Sequence, residues 1–135
     1  METESKKSLE DEASDKNHEA YGRGVKLFEQ SFYSLAKNEF KAALDYWPED
    51  HQAWMALGNC FDEMKKPIRA EKCFRKALIF CFEQERSGIY FNLGNSLLDQ
   101  YRLEEAIESY QKVTAQSPAY RAAQINMKRA IDERC

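Results

Sequence analysis

Large and small apolar residues alternate with polar ones along this chain at the spacing expected of helix faces. The pattern is clearest in the middle of the sequence, where two apolar faces follow each other closely. Residues three, four or seven positions apart lie on the same side of a helix. The two faces are formed by Trp54, Leu57, Gly58 and Phe61, and then by Ala70, Phe74 and Ala77.

A break between these two faces predicts a pair of helices joined by a short turn. Lys65 and Lys66 interrupt the apolar pattern, and Pro67 suits the first turn of a new helix, where its missing N–H is not needed. Gly58 lies inside the first helix, where it costs about 1 kcal/mol relative to alanine. We therefore expect another backbone to pass close to Gly58, and Ala70 and Ala77 are small enough to allow it.

The same pattern occurs in two more copies. One lies 34 residues upstream of the middle copy and the other lies 36 residues downstream. The upstream copy consists of Ala20, Gly24, Leu27, Ala36, Phe40, Ala43 and Pro48. The downstream copy consists of Tyr90, Leu93, Gly94, Leu97, Ala106, Tyr110, Val113 and Pro118.

This period and this pattern resemble the tetratricopeptide repeat over residues 17–120. Three positions depart from the repeat: Ala20 replaces a large aromatic residue, Arg23 replaces a leucine, and Phe82 replaces a proline and is followed by two extra residues. We interpret those extra residues as a longer second helix in the middle hairpin. The resemblance implies an all-α fold, a right-handed superhelix of three helix-turn-helix hairpins plus one capping helix, seven helices in all.

The predicted domain organisation follows the repeats. Residues 1–16 contain one large apolar residue after the initiator, Leu9, and we expect them to form a disordered acidic leader. The three repeats are placed at 17–50, 51–86 and 87–120, and the capping helix at 120–134. The predicted helices span about 17–30, 33–46, 51–64, 67–84, 87–100, 103–116 and 120–134. Lys128 occupies the glycine position, so we expect one side of the last helix to face water.

Charge and cysteine content narrow the classes of function. The net charge is −3, of which the first 19 residues carry −4, so the remainder is almost neutral and lacks the basic balance typical of nucleic-acid-binding domains. No apolar run approaches the 18 residues of a membrane span, and the N-terminus is too polar for a signal peptide. We therefore expect a cytoplasmic protein that binds neither nucleic acid nor membranes.

Neither a metal site, a cofactor site nor a catalytic site is expected from the sequence. The four cysteines include no CxxC pair, and only His18 and His51 could assist them. The glycines are scattered within or beside helices rather than clustered in a phosphate-binding loop. Asp62 and Glu63 are adjacent on a helix, so their side chains diverge. We predict a non-enzymatic protein without cofactor.

The resemblance further implies a concave surface lined by the first helix of each hairpin, and this is the candidate peptide-binding groove. Its polar members include Asn92 and Asn126 at equivalent positions, which resemble an asparagine ladder that holds a peptide backbone; alternatively they are capping or solvated residues. The aromatic members at the N-terminal end could instead pack on neighbouring helices. The predicted groove consists of Tyr21, Val25, Phe28, Met55, Asn59, Asp62, Phe91, Asn92, Asn95, Leu98, Ile125, Asn126 and Arg129, with Asp132 at its end.

Two charged features concern possible partners. Family members that clamp the C-terminal carboxylates of heat-shock chaperones need Lys, Arg and Asn residues, but the corresponding positions here are Tyr21, Val25, Ala56, Gly88 and Asn92. We therefore predict that this clamp is absent. A basic run from Lys65 to Lys76 could meet an acidic partner or form a solvated face.

The sequence thus predicts a scaffold or adaptor that binds a peptide or protein segment in its concave groove. One alternative is a small chaperone of secretion-system substrates, for which self-association would be an indication. A second alternative is a fixed structural subunit of a larger complex.

Overall fold

The computed structural model describes residues 8–135, which form seven α-helices and no β-strand. The all-α prediction of three hairpins and a capping helix is confirmed. The helices are α1 (Leu9–Glu29), α2 (Tyr33–Tyr46), α3 (His51–Glu63), α4 (Pro67–Phe80), α5 (Arg86–Asp99), α6 (Leu103–Gln111) and α7 (Tyr120–Arg134), with a 3-10 helix at Glu83–Glu85 between α4 and α5.

Helix α1 begins eight residues earlier than the sequence pattern predicts. Ser8 caps it, because its side-chain oxygen accepts a hydrogen bond from the Asp11 N–H at 3.1 Å. Acidic residues fill the first turn, where the helix dipole favours negative charge. The expectation of disorder is therefore wrong for residues 9–16, and its part covering residues 1–7 lies outside the described residues.

The early part of α1 also has a surface to pack against. Ala13 and Ser14 are half-buried and border a cavity of about 320 Å³ together with Tyr46 and Trp47 at the end of α2. Lys16 lies 5.7 Å from the centre of the Tyr46 ring. Counting only large apolar residues in residues 1–16 missed these contacts.

Each hairpin turn contains one non-glycine residue with positive φ at the same repeat position. The φ angles are 66° at Ser31, 61° at Lys65 and 57° at Tyr101. Left-handed backbone at such residues costs free energy that glycine would avoid. All three turns thus store some strain at equivalent positions.

The hairpins are closed by an aromatic ring of the second helix lying over a glycine of the first. A Cβ atom added to Gly24, Gly58 or Gly94 would lie 2.5 Å from the nearest ring carbon of Phe40, Phe74 or Tyr110, respectively. The predicted close approach is therefore present, but the neighbour is an aromatic ring rather than a backbone. The small residues Ala36, Ala43, Ala70, Ala77 and Ala106 of the second helices are fully buried around these contacts.

Two second helices are shorter than predicted. Helix α4 ends at Phe80 because Cys81 and Phe82 adopt extended backbone, and the Phe82 N–H donates to the Glu85 carboxylate at 2.9 Å. The two extra residues therefore form part of the 3-10 turn and do not lengthen α4. Helix α6 ends at Gln111 because the backbone changes to the tighter 3-10 pattern, in which the Val113 N–H donates to the Tyr110 carbonyl three residues earlier at 3.1 Å.

Helix α7 closes the array against α5 and α6, as expected of a cap. Ala123 and Ala130 are fully buried on its inner side, whereas Lys128 is exposed on its outer side. The arrangement fits stacked repeats, in which the terminal element presents a polar outer face.

A polar bridge joins the second and third hairpins. Glu71 of α4 accepts hydrogen bonds from Arg75 at 2.9 Å, from Gln100 at 3.0 Å and from Arg102 at 2.6 Å. Its side chain is 11% exposed. Burial raises the pKa of Glu71, but these three donors outweigh it and hold the pKa below its usual value.

Candidate functional site

Asparagine pairs mark the seams between successive first helices on the predicted groove. Asn92 of α5 donates from Nδ2 to Oδ1 of Asn59 in α3 at 3.3 Å. Asn126 of α7 donates from Nδ2 to Oδ1 of Asn95 in α5 at 2.9 Å. These four residues therefore lie where consecutive hairpins meet, with one donor of each pair used inside the protein.

Two adjoining cavities lie on this surface, and the larger one extends from Tyr21 of α1 to Ala119 just before α7. The larger has a volume of about 500 Å³ and is lined by Tyr21, Met55 and Asn59 among others. The smaller, of about 170 Å³, is lined by Val25, Phe28 and Phe40 among others. Both cavities share Tyr21, Ala56 and Asn59 in their walls. We call the pair the groove cavities.

The predicted groove residues divide into two sets. Five of them line the groove cavities, namely Tyr21, Val25, Phe28, Met55 and Asn59. The other eight lie further along the first helices and line neither of these two cavities; Ile125 and Arg129 are exposed, and Asp62, Phe91, Asn92, Asn95, Leu98 and Asn126 are half-buried.

The aromatic groove residues also pack on their own neighbours. The ring centres of Tyr21 and Phe40 are 5.5 Å apart, and those of Phe28 and Tyr33 are 5.0 Å apart. Both interpretations of the sequence, groove residue and packing residue, therefore apply to Tyr21 and Phe28, because each packs on an adjacent helix and still lines a cavity.

The 3-10 turn forms one wall of the larger cavity. Gln84 and Glu85 line it together with Gly88 at the start of α5. Glu85 is held in place by His51, whose Nε2 lies 2.7 Å from the carboxylate, and by the Phe82 N–H. Burial raises the pKa of Glu85, but these hydrogen bonds outweigh it and lower the pKa. The rings of His51 and Phe82 meet edge to face at 5.5 Å.

A similar link joins the first two hairpins. Asn17 is fully buried and donates from Nδ2 to the Ala43 carbonyl at 2.9 Å and to Asp50 at 3.1 Å. Asp50 also caps α3, because it accepts from the N–H groups of Gln52 and Ala53 at 3.0 and 3.2 Å. Asn17 and His51 are 34 residues apart, at equivalent repeat positions. Each contacts an acidic residue that immediately precedes the next first helix: Asp50 before α3 and Glu85 before α5.

Asp62 is a half-buried carboxylate on the groove side of α3. Its one hydrogen bond in the described chain comes from the Ser96 hydroxyl at 3.3 Å, and no cationic side chain of residues 8–135 lies within ion-pair distance. Burial raises the pKa of Asp62 to about 6, aided by the nearby charges of Asp99 and Glu63. Ser96 and Lys65 act in the opposite direction.

Several residues of the larger cavity were not predicted from the sequence. They come from the turns and from helix starts, and they include His51, Gln52, Gln84, Glu85 and Ser117. The sequence signal for Gln84 and Glu85 is the two-residue insertion after Phe82, because this departure from the repeat period adds residues that the other two copies lack.

Neither a membrane-spanning helix nor a metal-binding cluster is found in the described part of the chain. No helix within residues 8–135 is long and apolar enough to cross a membrane. Over the same range, no three His, Cys, Asp or Glu side chains are grouped so that they could hold a metal ion.

Comparison with solved structures identifies similar folds. The first TPR of Spaghetti (RPAP3) bound to the HSP90 peptide SRMEEVD has a TM-score of 0.82 at 21% identity, over 89% of this chain and 94% of that one. The TPR2B domain of yeast Sti1 in its pHsp70 complex has a TM-score of 0.82 at 15% identity, over 89% and 99%. The Yersinia enterocolitica type III secretion chaperone SycD, in complex with a peptide of the translocator YopD, has a TM-score of 0.75 at 18% identity, over 89% and 92%.

The sequence itself matches one family in two adjacent stretches. Tetratricopeptide repeat profiles match residues 21–86 and residues 87–120. No curated protein matches the chain by sequence. Together the two stretches cover most of the chain, and they coincide with the hairpins that contain the glycine–aromatic contacts. The chain therefore belongs to the tetratricopeptide repeat family.

Proposed function

We propose that this protein is a non-enzymatic binding module, a scaffold or adaptor that takes a peptide segment of a partner protein along its concave surface. The observation that carries the proposal is the pair of adjoining groove cavities. Their shared wall of Tyr21, Ala56 and Asn59 combines apolar surface with one amide group. Sites for extended peptides need both features, because pockets take side chains and polar groups orient the backbone.

Burial in the cavities would supply most of the binding free energy. A partner side chain that fills an apolar pocket contributes about 1.5–3 kcal/mol. The larger cavity, at about 500 Å³, can accept more than one such side chain. Similar structures, among them the SycD complex, also hold peptides, which supports this use of the fold.

The chemistry of the groove argues against a chaperone C-terminus as the partner. The peptide in the Spaghetti structure ends in two glutamates, a valine and an aspartate. In this chain the clamp positions are Tyr21, Val25, Ala56, Gly88 and Asn92, none of which carries a positive charge. An acidic terminus would therefore lose its hydration without gaining an ion pair.

A blocked-groove variant tests the proposal. A phage-displayed library of random decapeptides is panned on the wild-type chain, and selected peptides are measured by fluorescence anisotropy. Ala56→Arg places a long side chain in the wall shared by both cavities, so we expect peptide affinity to fall at least tenfold. Ser34→Arg adds the same charge at an exposed position of α2 and serves as the matched control.

The outcomes are distinct once circular dichroism shows that both variants remain helical. Loss of binding with Ala56→Arg alone supports the groove. Equal binding by the wild type and both variants, or no selected peptide at all, would overturn it. Alanine variants of Phe28, Phe91 and Asn92 then show whether the bound segment extends beyond the cavities towards α5.

A second candidate is a chaperone that covers an apolar segment of one partner before export. It uses the same groove, and the exposed Ile79 and Phe82 beside the 3-10 turn favour it because they offer additional apolar contact area. A permanent structural subunit is the third possibility. Analytical ultracentrifugation would favour the chaperone if the chain self-associates and releases its second copy when peptide is added.

A further inference from the structure

We propose that the segment bound by this protein carries a lysine or arginine that pairs with Asp62, one turn beyond the apolar side chain that fills the groove cavities. This inference rests on the proposed function and specifies the chemistry of the partner. The occupant is a basic-and-apolar peptide segment of a partner protein, in contrast to the acidic peptide held in the Spaghetti structure.

Within residues 8–135, the Asp62 carboxylate has no cationic partner at ion-pair distance. Half-buried carboxylates are normally paired or well hydrogen-bonded, because removing the charge from water is costly. Among the described residues, Asp62 accepts a hydrogen bond only from the Ser96 hydroxyl, at 3.3 Å. Lys65 is the one cation among residues 8–135 whose charge lowers the pKa of Asp62, and it is not within 4.0 Å of the Asp62 carboxylate.

Other carboxylates of this protein show that such pairing is available when the fold requires it. Glu71, which is buried, is surrounded by Arg75, Arg102 and Gln100. Glu85, in the cavity wall, is paired with His51. Asp62 is left with a neutral donor, on the surface where a partner would lie.

The surroundings of Asp62 carry more negative than positive charge. The groove cavities are lined by Glu29, by Glu85 with its partner His51, and by no lysine or arginine. Asp99 of α5 lies near enough to Asp62 to raise its pKa, as Glu63 does from the same helix. The field over this part of the groove is therefore negative and attracts a cationic side chain.

Asp62 lies one helical turn beyond the shared wall of the groove cavities. Asn59 lines both cavities, and Asp62 follows it by three residues on the same side of α3. Three residues correspond to about 4.5 Å along a helix axis. A peptide that places an apolar side chain beside Asn59 can therefore bring a neighbouring lysine or arginine to Asp62.

The experiment uses the full chain and the random decapeptide library described above. Panning is repeated on Asp62→Asn, which removes the charge but keeps an oxygen that can accept from Ser96. Asp45→Asn, at an exposed position of α2, changes the net charge equally and is the control. The best wild-type peptide is then resynthesised with glutamine in place of each lysine or arginine, and all affinities are measured at low and high salt.

We expect lysine or arginine to be enriched next to an apolar residue on the wild type and on Asp45→Asn. On Asp62→Asn the basic preference should disappear while the apolar preference stays. The affinity of the basic peptide should fall about tenfold, and the glutamine peptide should bind both proteins equally. Added salt should weaken the complexes of the basic peptide with the wild type and with Asp45→Asn more than its complex with Asp62→Asn.

Each other outcome overturns the inference. Groove-dependent peptides without basic enrichment, or basic peptides that bind Asp62→Asn unchanged, would refute the role of Asp62 and leave the proposed function standing. Peptides that ignore both Asp62→Asn and Ala56→Arg would refute both proposals. Loss of self-association in Asp62→Asn, with no effect on peptides, would show that Asp62 pairs with a second copy of this chain instead.

Discussion

The same contact closes each hairpin, an aromatic ring of the second helix packed closely against a helical glycine of the first. The Phe74 ring is fully buried over Gly58, and its nearest carbon would lie 2.5 Å from an added Cβ atom. Since the ring is enclosed by core side chains, it has little freedom to move away. Gly58 therefore lowers the helix propensity of α3 but allows the Phe74 ring to pack closely against it.

We expect Gly58→Ala to lower the free energy of unfolding by about 1–2 kcal/mol. Overpacking against the enclosed ring costs about 1–3 kcal/mol, and the better helix propensity of alanine recovers only part of this. Urea unfolding followed by circular dichroism measures the change.

Gly22→Ala is the matched control. It lies in α1 with nothing within 4 Å of an added Cβ atom. Alanine should raise the free energy of unfolding there by up to about 1 kcal/mol. Equal effects of the two substitutions would contradict the packing explanation.

Asp62 gives a second prediction at this scale, with a defined pH dependence. Its pKa of about 6 in the folded protein lies above the usual value, so the charged form destabilises the fold. This destabilisation is absent well below pH 3.8, where Asp62 is protonated in both states; it grows as the pH rises from 3.8 towards 6 and is complete above pH 6. Asp62→Asn should therefore stabilise the protein at pH 7.5 and have little effect at pH 3.5.

Thermal unfolding of both proteins across this pH range measures the difference. Asp45→Asn, exposed on α2, should show no comparable pH-dependent gain. A variant that is less stable than wild type at pH 7.5 would contradict the interpretation that Asp62 is unpaired.

Turn geometry can be tested at the scale of the elements. Lys65 has φ of 61° in the turn between α3 and α4, and Lys66 beside it has φ of −121°. Lys65→Gly should raise the free energy of unfolding by up to about 1 kcal/mol, because glycine adopts positive φ without strain. Lys66→Gly should lower it, since glycine there adds only unfolded-state freedom. Urea midpoints that move in the same direction for both would contradict this account.

The elements that the sequence predicted well are those set by periodic packing. Helix α2 begins and ends at the predicted residues, and Pro67 begins α4. The errors lie where polar side chains decide the outcome. Ser8 starts α1 early, Glu85 takes the N–H group that would have extended α4, and Ser87 accepts from the Thr114 N–H beyond the end of α6. Apolar spacing does not report such capping contacts.

The same division applies to the candidate site. The stripe of Tyr21, Val25 and Phe28 could be predicted from its spacing on the first helix. The pairing of Asn92 with Asn59 could not, because it depends on how two hairpins stack. The insertion after Phe82 marks the position of the cavity wall at Gln84, but the structure of that wall could not be predicted, because a departure from the repeat period does not indicate how the extra residues fold.

At the scale of the whole molecule, Glu71 ties the second hairpin to the third. In stacked repeats, the free energy of unfolding is approximately the sum of contributions from each repeat and from each interface between repeats. A broken interface should therefore reduce the cooperativity of unfolding. We expect Glu71→Gln to lower the free energy of unfolding by about 1–3 kcal/mol at pH 7, since Arg102 loses its buried partner.

The effect of Glu71→Gln should depend on pH with the opposite sign to that of Asp62→Asn. The pKa of Glu71 is lowered in the folded protein, so its contribution is complete above the usual glutamate pKa and is lost as the pH falls through the folded value. The two proteins should converge in stability as the medium becomes acidic. Glu108→Gln, exposed on α6, is the control, and a constant difference at all pH values would contradict the ionic role.

The irregular period between the second and third repeats has a consequence for redesign. Trimming two residues after Phe82 would restore equal spacing and give an array closer to an idealised consensus. That array would lack the 3-10 turn, and with it Glu85, the partner of His51. Standardising the spacing would therefore remove one wall of the larger groove cavity, so the irregularity is the part of the scaffold to retain when binders are engineered from it.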